Sequence, residues 1–251
     1  MKLVHCSYHK CLTRYYRRVL STLYNHKLKF FSRGYKHFNS LIDDFYQESN
    51  SYKVSSVNNQ ALDFHRMGNE FRVSRFIRDP RDLIVSGYFY HKRGAEAWSN
   101  IINPSEVDWK VVNGCVPRNM GKGNSFSSHL QGLSKEDGLI AEIDFRKNHF
   151  NSMKEWPIAD PRIKTYRYED LLGNEPDVFE EIFKFYGVSW LEKKIGLFFA
   201  DRFSAKRLSG KTQHIRNPKA SQWKEHFTPR VQDYFERQHG EVLERYGYDR
   251  V

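Results

Sequence analysis

Acidic residues are missing from the start of this chain. No aspartate or glutamate occurs before Asp43, yet Lys2, Lys10, Arg14, Arg17, Arg18, Lys27, Lys29, Arg33 and Lys36 all do. Cysteine is scarce: the three present are an odd number and fit a reducing compartment better than a disulfide framework. No apolar run approaches the ~20 residues a membrane span needs. No charged-then-apolar leader with a small-residue cleavage site is visible. The expectation from these absences is a cytoplasmic protein with no membrane partner. Internal repeats, low-complexity tracts and linkers are also missing, so residues 1–251 are expected to form a single domain.

What is present is basic and aromatic. Formal net charge is +11, from 41 basic and 30 acidic residues, and aromatic residues make up 16% of the chain, which argues against disorder. A second basic stretch runs from Arg202 to Arg230, with Glu225 its only acid. Two sequence-distant basic segments suit a polyanionic ligand. Charge alone also allows a non-catalytic nucleic-acid-binding module.

Strands and helices alternate. Lys2 to Cys6, Val54 to Val57, Arg72 to Ile77 and Ile163 to Tyr168 read as strands. Thr13 to Tyr24 reads as a helix with Tyr16, Val19, Leu20 and Leu23 on one face. Pro80 to His91 is a second helix. Asp177 to Tyr186 is a third, closed by Gly187, and Thr228 and Pro229 open a last one that runs to Tyr246. Asn113 to Ser128, with three glycines, reads as a loop. The fold class expected is α/β: a parallel sheet flanked by helices, of the P-loop-like nucleotide-binding type.

The chemistry concentrates at four places. Arg78-Asp79-Pro80-Arg81-Asp82-Leu83-Ile84-Val85-Ser86 follows the third predicted strand. Asp79 is placed to cap the next helix and Pro80 to occupy its first position. Arg78 and Ser86 then present a guanidinium fork and a hydroxyl suited to a phosphate monoester. Val4 to Tyr15 forms a strand–loop–helix unit containing Lys10, Cys11, Leu12, Thr13, Arg14 and Tyr15. N–H groups at such a helix start bind anions, and a lysine adds a point charge. The Gly-x4-Gly-Lys-[Ser/Thr] loop of nucleotide kinases is absent. His5, Cys6, His9 and Cys11 do not have paired zinc-ligand spacing, so no metal site is expected. Tyr166-Arg167-Tyr168-Glu169-Asp170 ends the fourth predicted strand. His214 to Lys224 contains Arg216, Lys219 and Trp223.

These four blocks, in this order, resemble the PAPS-dependent sulfotransferases. Arg78 and Ser86 match that family's 3′-phosphate signature, Arg-[Asn/Asp]-Pro-x-[Asp/Glu]-x-x-x-Ser. The first loop resembles its 5′-phosphosulfate loop, Pro-Lys-[Ser/Thr]-Gly-Thr-Thr-Trp. Lys10 matches the lysine, Thr13 the first threonine and Tyr15 the aromatic. Leu12 stands in place of the glycine and Arg14 in place of the second threonine. Tyr168 matches the tyrosine near adenine. Arg216 and Trp223 match Arg-Lys-Gly-x-x-Gly-Asp-Trp, without its glycines, and Lys219 lies between them. Phe203 is a weaker candidate for stacking on adenine.

The resemblance implies in-line transfer of a sulfuryl group from PAPS to a hydroxyl, with PAP as product and no metal required. Lys10 would stabilise the leaving phosphate oxygen. The proton-accepting base is His65 first, then Glu70, then His129. The acceptor class stays open: a small alcohol or other small molecule, a carbohydrate bearing a hydroxyl, or a protein tyrosine, with no nucleic acid as partner. A P-loop nucleotide kinase is the rival enzyme.

Overall fold

Val4, Val54, Val57 and Val73 are buried at the centre of a five-stranded sheet. Its strands are β1 (Lys2–Ser7), β2 (Tyr35–His37), β3 (Val54–Val57), β4 (Phe71–Ile77) and β5 (Ile163–Arg167). Their order is β2-β3-β1-β4-β5, and every neighbouring pair is parallel. The computed structural model describes residues 1–8, 10–25, 31–39, 41–58, 62–204 and 220–250. The chain divides into two compact units. One comprises Met1–Ile77 and Pro157–Pro218, the other Arg78–Trp156 and Lys219–Val251.

The first unit holds the whole sheet. Strands β1, β3 and β4 are buried nearly end to end, as parallel strands covered on both faces are. Helix α1 (Thr13–Tyr24) buries the expected face, Tyr16, Val19, Leu20 and Leu23, together with Tyr24. His5 is part of this core. Its ring stacks on Tyr16 at 3.6 Å and its Nδ1 meets Ser74 Oγ at 2.8 Å. Burial holds its pKa well below the usual value, with His37 adding to the effect. Cys6 is buried too, and desolvation pushes its thiol up to about 12. A neutral core histidine and an inert thiol are packing residues, not ligands. Helix α2 (Ile42–Glu48) lies between β2 and β3 in the chain.

The second unit is built around α3 (Pro80–Lys92). Helices α4 (Phe126–Gly132), α5 (Lys135–Phe145) and α6 (Lys147–Glu155) follow. The stretch expected to be loop as far as Ser128 is already helical from Phe126. Ser125 and Ser128 close a reciprocal capping box there, which sets the helix start. Behind α3, Glu142 accepts from Arg146 Nε at 2.7 Å and meets His91 Nδ1 at 2.8 Å, all three fully buried. Gly87 faces this group, and a Cβ there would collide with Glu142 and Arg146.

In the first unit the chain continues through α7 (Tyr168–Leu171), α8 (Glu175–Tyr186) and α9 (Trp190–Arg202). Tyr168, expected at the end of a strand, is the first residue of α7 instead. Gly187 takes a left-handed conformation, φ 66°, and closes α8 as expected. Helix α9 was not expected, although Ser189 and Glu192 form a capping box at its start. The last helix, α10 (Pro229–Arg245), is capped by Thr228 and belongs to the second unit. No helix among the described residues is long and apolar enough to cross a membrane.

Candidate active site

Ser7 and Phe76 are in register, so β1 and β4 end at the same edge of the sheet. The two neighbours of β1, β3 and β4, lie on opposite sides of it in the sheet, and the edge at such a switch of strand order in an open α/β sheet is where ligands bind. The chain leaves that edge at Tyr8 and enters α1 after Leu12. Tyr8 and Cys11 are buried, and Cys11 N–H donates to the Tyr8 carbonyl at 3.1 Å. Lys10 (φ 69°) and Leu12 (φ 59°) are both left-handed. Leu12 thus takes the conformation a glycine would adopt without strain, which costs about 1–2 kcal/mol for an L-residue.

Leu12 caps α1 with no side-chain hydrogen bond, and no acid lies in the helix's first turn. The first N–H groups of the helix therefore point out of the loop without a side-chain acceptor. Thr13 Oγ1 meets Ser7 Oγ at 2.7 Å, which fixes its hydroxyl at this helix start. Tyr15 donates its hydroxyl to the Ala200 carbonyl at 2.7 Å and sets its ring edge-on to Phe179.

Sequence reasoning missed one residue beside this loop. Arg75 on β4 is fully buried, and its Nη2 donates to Tyr8 Oη at 2.8 Å. A cation in the middle of an apolar strand, Phe71 to Ile77, was the available signal. It adds positive potential beneath the loop.

In the second unit, Arg78 directly follows Ile77 in the chain and is buried. Asp79 accepts from Arg81 N–H at 2.9 Å and Pro80 takes the first helical position, as expected. Asp79 also holds the Arg81 guanidinium through two oxygens, at 3.0 and 2.8 Å. That guanidinium lies 3.7 Å from the centroid of the Trp223 ring. Asp82 is the hub. Its carboxylate accepts from Ser221 N–H at 2.8 Å and Trp223 N–H at 2.9 Å, with Arg78 Nη2 at 3.4 Å. Burial raises the Asp82 pKa, against the pull of Arg78 and the two amides. Ser86 is half-buried, two turns into α3. Arg216 and Lys219 lie outside the described residues.

The remaining candidates are dispersed. Tyr168 is buried where β5 passes into α7. Phe203 is packed against the Arg18 guanidinium, 4.0 Å from its centroid, and against Phe199. His65 is exposed in the turn His65–Met67. Arg66 pairs with Asp43 at 3.0 Å and Tyr46 Oη accepts from Asp63 N–H at 2.6 Å, which holds that turn against α2. Glu70 sits at the opposite edge of the sheet from the loop. Its carbonyl accepts from Lys2 N–H at 2.9 Å and its carboxylate lies 3.5 Å from the chain's amino terminus. The length of β4, about 20 Å, separates it from the loop edge. His129 belongs to the second unit and is buried, which lowers its pKa. Arg14 is exposed on α1 and lines an open cavity of about 690 Å³ with Arg17, Arg18 and Lys36.

Parallel register, strand order and an anion-ready loop after the first strand define an α/β protein of the P-loop-like nucleotide-binding class. The sulfotransferase domain family matches residues 6–247, and the chain belongs to that family. It is a transferase of sulfuryl groups. A mouse sulfotransferase solved in complex with PAP has the same fold. Its TM-score is 0.55 at 14% identity, and the match covers 96% of this chain and 84% of that one. Retinol dehydratase, solved with androsterone and inactive cofactor PAP, aligns with a TM-score of 0.49 at 14% identity, covering 96% of this chain and 80% of that one. A search of curated proteins finds no match.

Proposed function

We propose that the chain transfers the sulfuryl group of PAPS to a hydroxyl-bearing acceptor. The observation that carries this is the start of α1: Lys10 and Thr13 beside uncapped helical N–H groups, in a loop with no acid. That donor set fits a phosphosulfate. When bound, PAPS supplies an activated sulfuryl group with an adenosine bisphosphate as leaving group.

In this reading the N–H groups of Leu12 to Tyr15 and the Thr13 hydroxyl hold the 5′ end. Arg14 contributes its backbone N–H there. Lys10 neutralises charge on the bridging oxygen as that charge develops, which is where a fixed cation lowers the barrier most. Arg78 and Ser86 hold the 3′-phosphate, with Arg216 and Lys219 added from the segment before Trp223. Tyr168 contacts adenine. Phe203 is already packed on Arg18 and Phe199, so the adenine role is left to Tyr168.

His65 takes the acceptor's proton. Among the three bases considered it is the exposed histidine, whereas His129 is buried and Glu70 lies at the far end of β4. The Lys and Arg side chains neutralise the leaving group, so the reading requires no metal. The free thiols of Cys6, Cys11 and Cys115 support a cytoplasmic setting.

Incubation with sulfur-labelled PAPS and a panel of alcohols and saccharides tests the proposal. Label appearing in an acceptor, with PAP released, is expected. Transfer of phosphate from ATP to the same panel, and none from PAPS, would instead favour a kinase.

A further inference from the structure

The PAPS reading uses Lys10 and the start of α1 but leaves Arg17, Arg18 and Lys36 of the first basic segment unexplained. These residues line one feature, the open cavity of about 690 Å³ between α1 and β2. One wall is a stripe along α1: Arg14, Arg17, Arg18, Ser21 and Asn25. This spacing keeps the side chains on one helix face and runs about 16 Å from Arg14 to Asn25. The other wall is β2, with Tyr35, Lys36 and His37. The walls are fixed to each other. Asn25 Nδ2 donates to the Tyr35 carbonyl at 2.8 Å, and Tyr35 N–H donates to Asn25 Oδ1 at 2.7 Å. His37 Nδ1 meets Ser56 Oγ at 2.8 Å, which anchors the wall to β3.

None of the lining residues is acidic. Lys36 is paired with Glu48, and Arg18 packs on Phe203. Among the described residues, Arg14 and Arg17 have no carboxylate partner, and both are exposed. Unpaired guanidiniums held one helical turn apart repel one another, so an anion that bridges them is favoured. The trough is long and open, which suits an extended ligand rather than a single small anion. Of its two rings, Tyr35 is buried and His37 is half-buried and tied to Ser56, so the lining offers no exposed aromatic platform of the kind on which successive nucleic-acid bases stack. Strand β2 is three residues long, too short to add a peptide strand with useful affinity. The trough begins at Arg14, next to Thr13 of the donor loop, so a ligand lying along it reaches the place where sulfuryl transfer is proposed.

We infer that the α1–β2 trough binds an acidic saccharide chain, carrying carboxylate or sulfate groups, and that this chain is the acceptor. The acceptor role rests on the sulfotransferase reading; the binding does not. Titration calorimetry without PAP, using a heparin-derived octasaccharide as probe, tests it. A neutral glucan of the same length, poly-glutamate and a single-stranded oligonucleotide serve as the other arms. The octasaccharide is expected to bind, to weaken on the order of tenfold in Arg17→Ala, and to weaken further in Arg17→Glu. Arg17 is exposed, so both variants should fold, and both should bind PAP as the unmodified chain does. Equal binding of the octasaccharide by all three proteins, or of the neutral glucan by the unmodified chain, overturns the inference. So does tighter binding of poly-glutamate or the oligonucleotide than of the octasaccharide. Loss of PAP binding in the unmodified chain, with octasaccharide binding intact, would fault the donor site and not the trough.

Discussion

The carboxylate of Asp82 accepts the backbone N–H of Trp223 across 141 positions of sequence, at 2.9 Å. The same carboxylate accepts from Ser221 and lies beside Arg78. One buried acid therefore anchors the residues that follow Arg216 and Lys219 to the helix that carries Arg78 and Ser86. Asp82→Ala leaves two amides without their acceptor and Arg78 without its counter-charge. It should destabilise the protein by about 1–3 kcal/mol, the cost of orphaned buried groups. Urea unfolding is the measurement. PAP affinity should fall as well, and a variant that matches the parent in both respects would remove Asp82 from the account.

Lys10→Ala should lower kcat more than it weakens PAP binding. The charge it faces is largest in the transition state, so most of its contribution appears there. Single-turnover rates at saturating donor and acceptor, compared with PAP affinity, separate the two effects. A larger loss in PAP affinity than in rate would make Lys10 a binding residue only.

His65→Ala should reduce turnover about 10²- to 10⁴-fold, the usual contribution of a general base, with PAP affinity retained. Near-normal turnover in the variant would shift the role to another group.

Stability should depend on pH through buried histidines. Burial, with Arg17 nearby, lowers His37 to about 4, and burial with Lys154 nearby lowers His239 to about 4. His5 and His149 are also lowered by burial. In the unfolded chain each takes a proton near pH 6.5. The unfolded state thus binds more protons between about pH 6.5 and 4, and stability falls as pH falls through that window. Above pH 7 these groups add no slope. Urea midpoints from pH 4 to 8 check this, and a flat profile from 6.5 to 4.5 would contradict it.

The parts of the fold with strong local signals were legible in sequence. β3 was legible end to end, as was the apolar face of α1, with Asp79-Pro80 opening α3 and Gly187 closing α8. What was missed depends on tertiary context. β2 is three residues long and polar, and it forms because β3 supplies its hydrogen bonds. α5 buries Glu142 among its apolar residues, so its periodicity is blurred. At the site, Leu12 in place of glycine hid the left-handed conformation that the backbone takes there. The Asp82–Trp223 link could not be read either, because nothing local to Asp82 distinguishes a first-turn acid from a hub.

The central claim is that this chain recognises a 3′-phosphoadenosine nucleotide. Calorimetric titration with PAP and with 5′-AMP tests it most directly, because the two differ only in the 3′-phosphate. PAP should bind at least tenfold more tightly, and Arg78→Ala should remove about 1.5–3 kcal/mol of PAP affinity while leaving 5′-AMP nearly unchanged. Equal affinity for PAP and 5′-AMP in the unmodified protein would contradict the account.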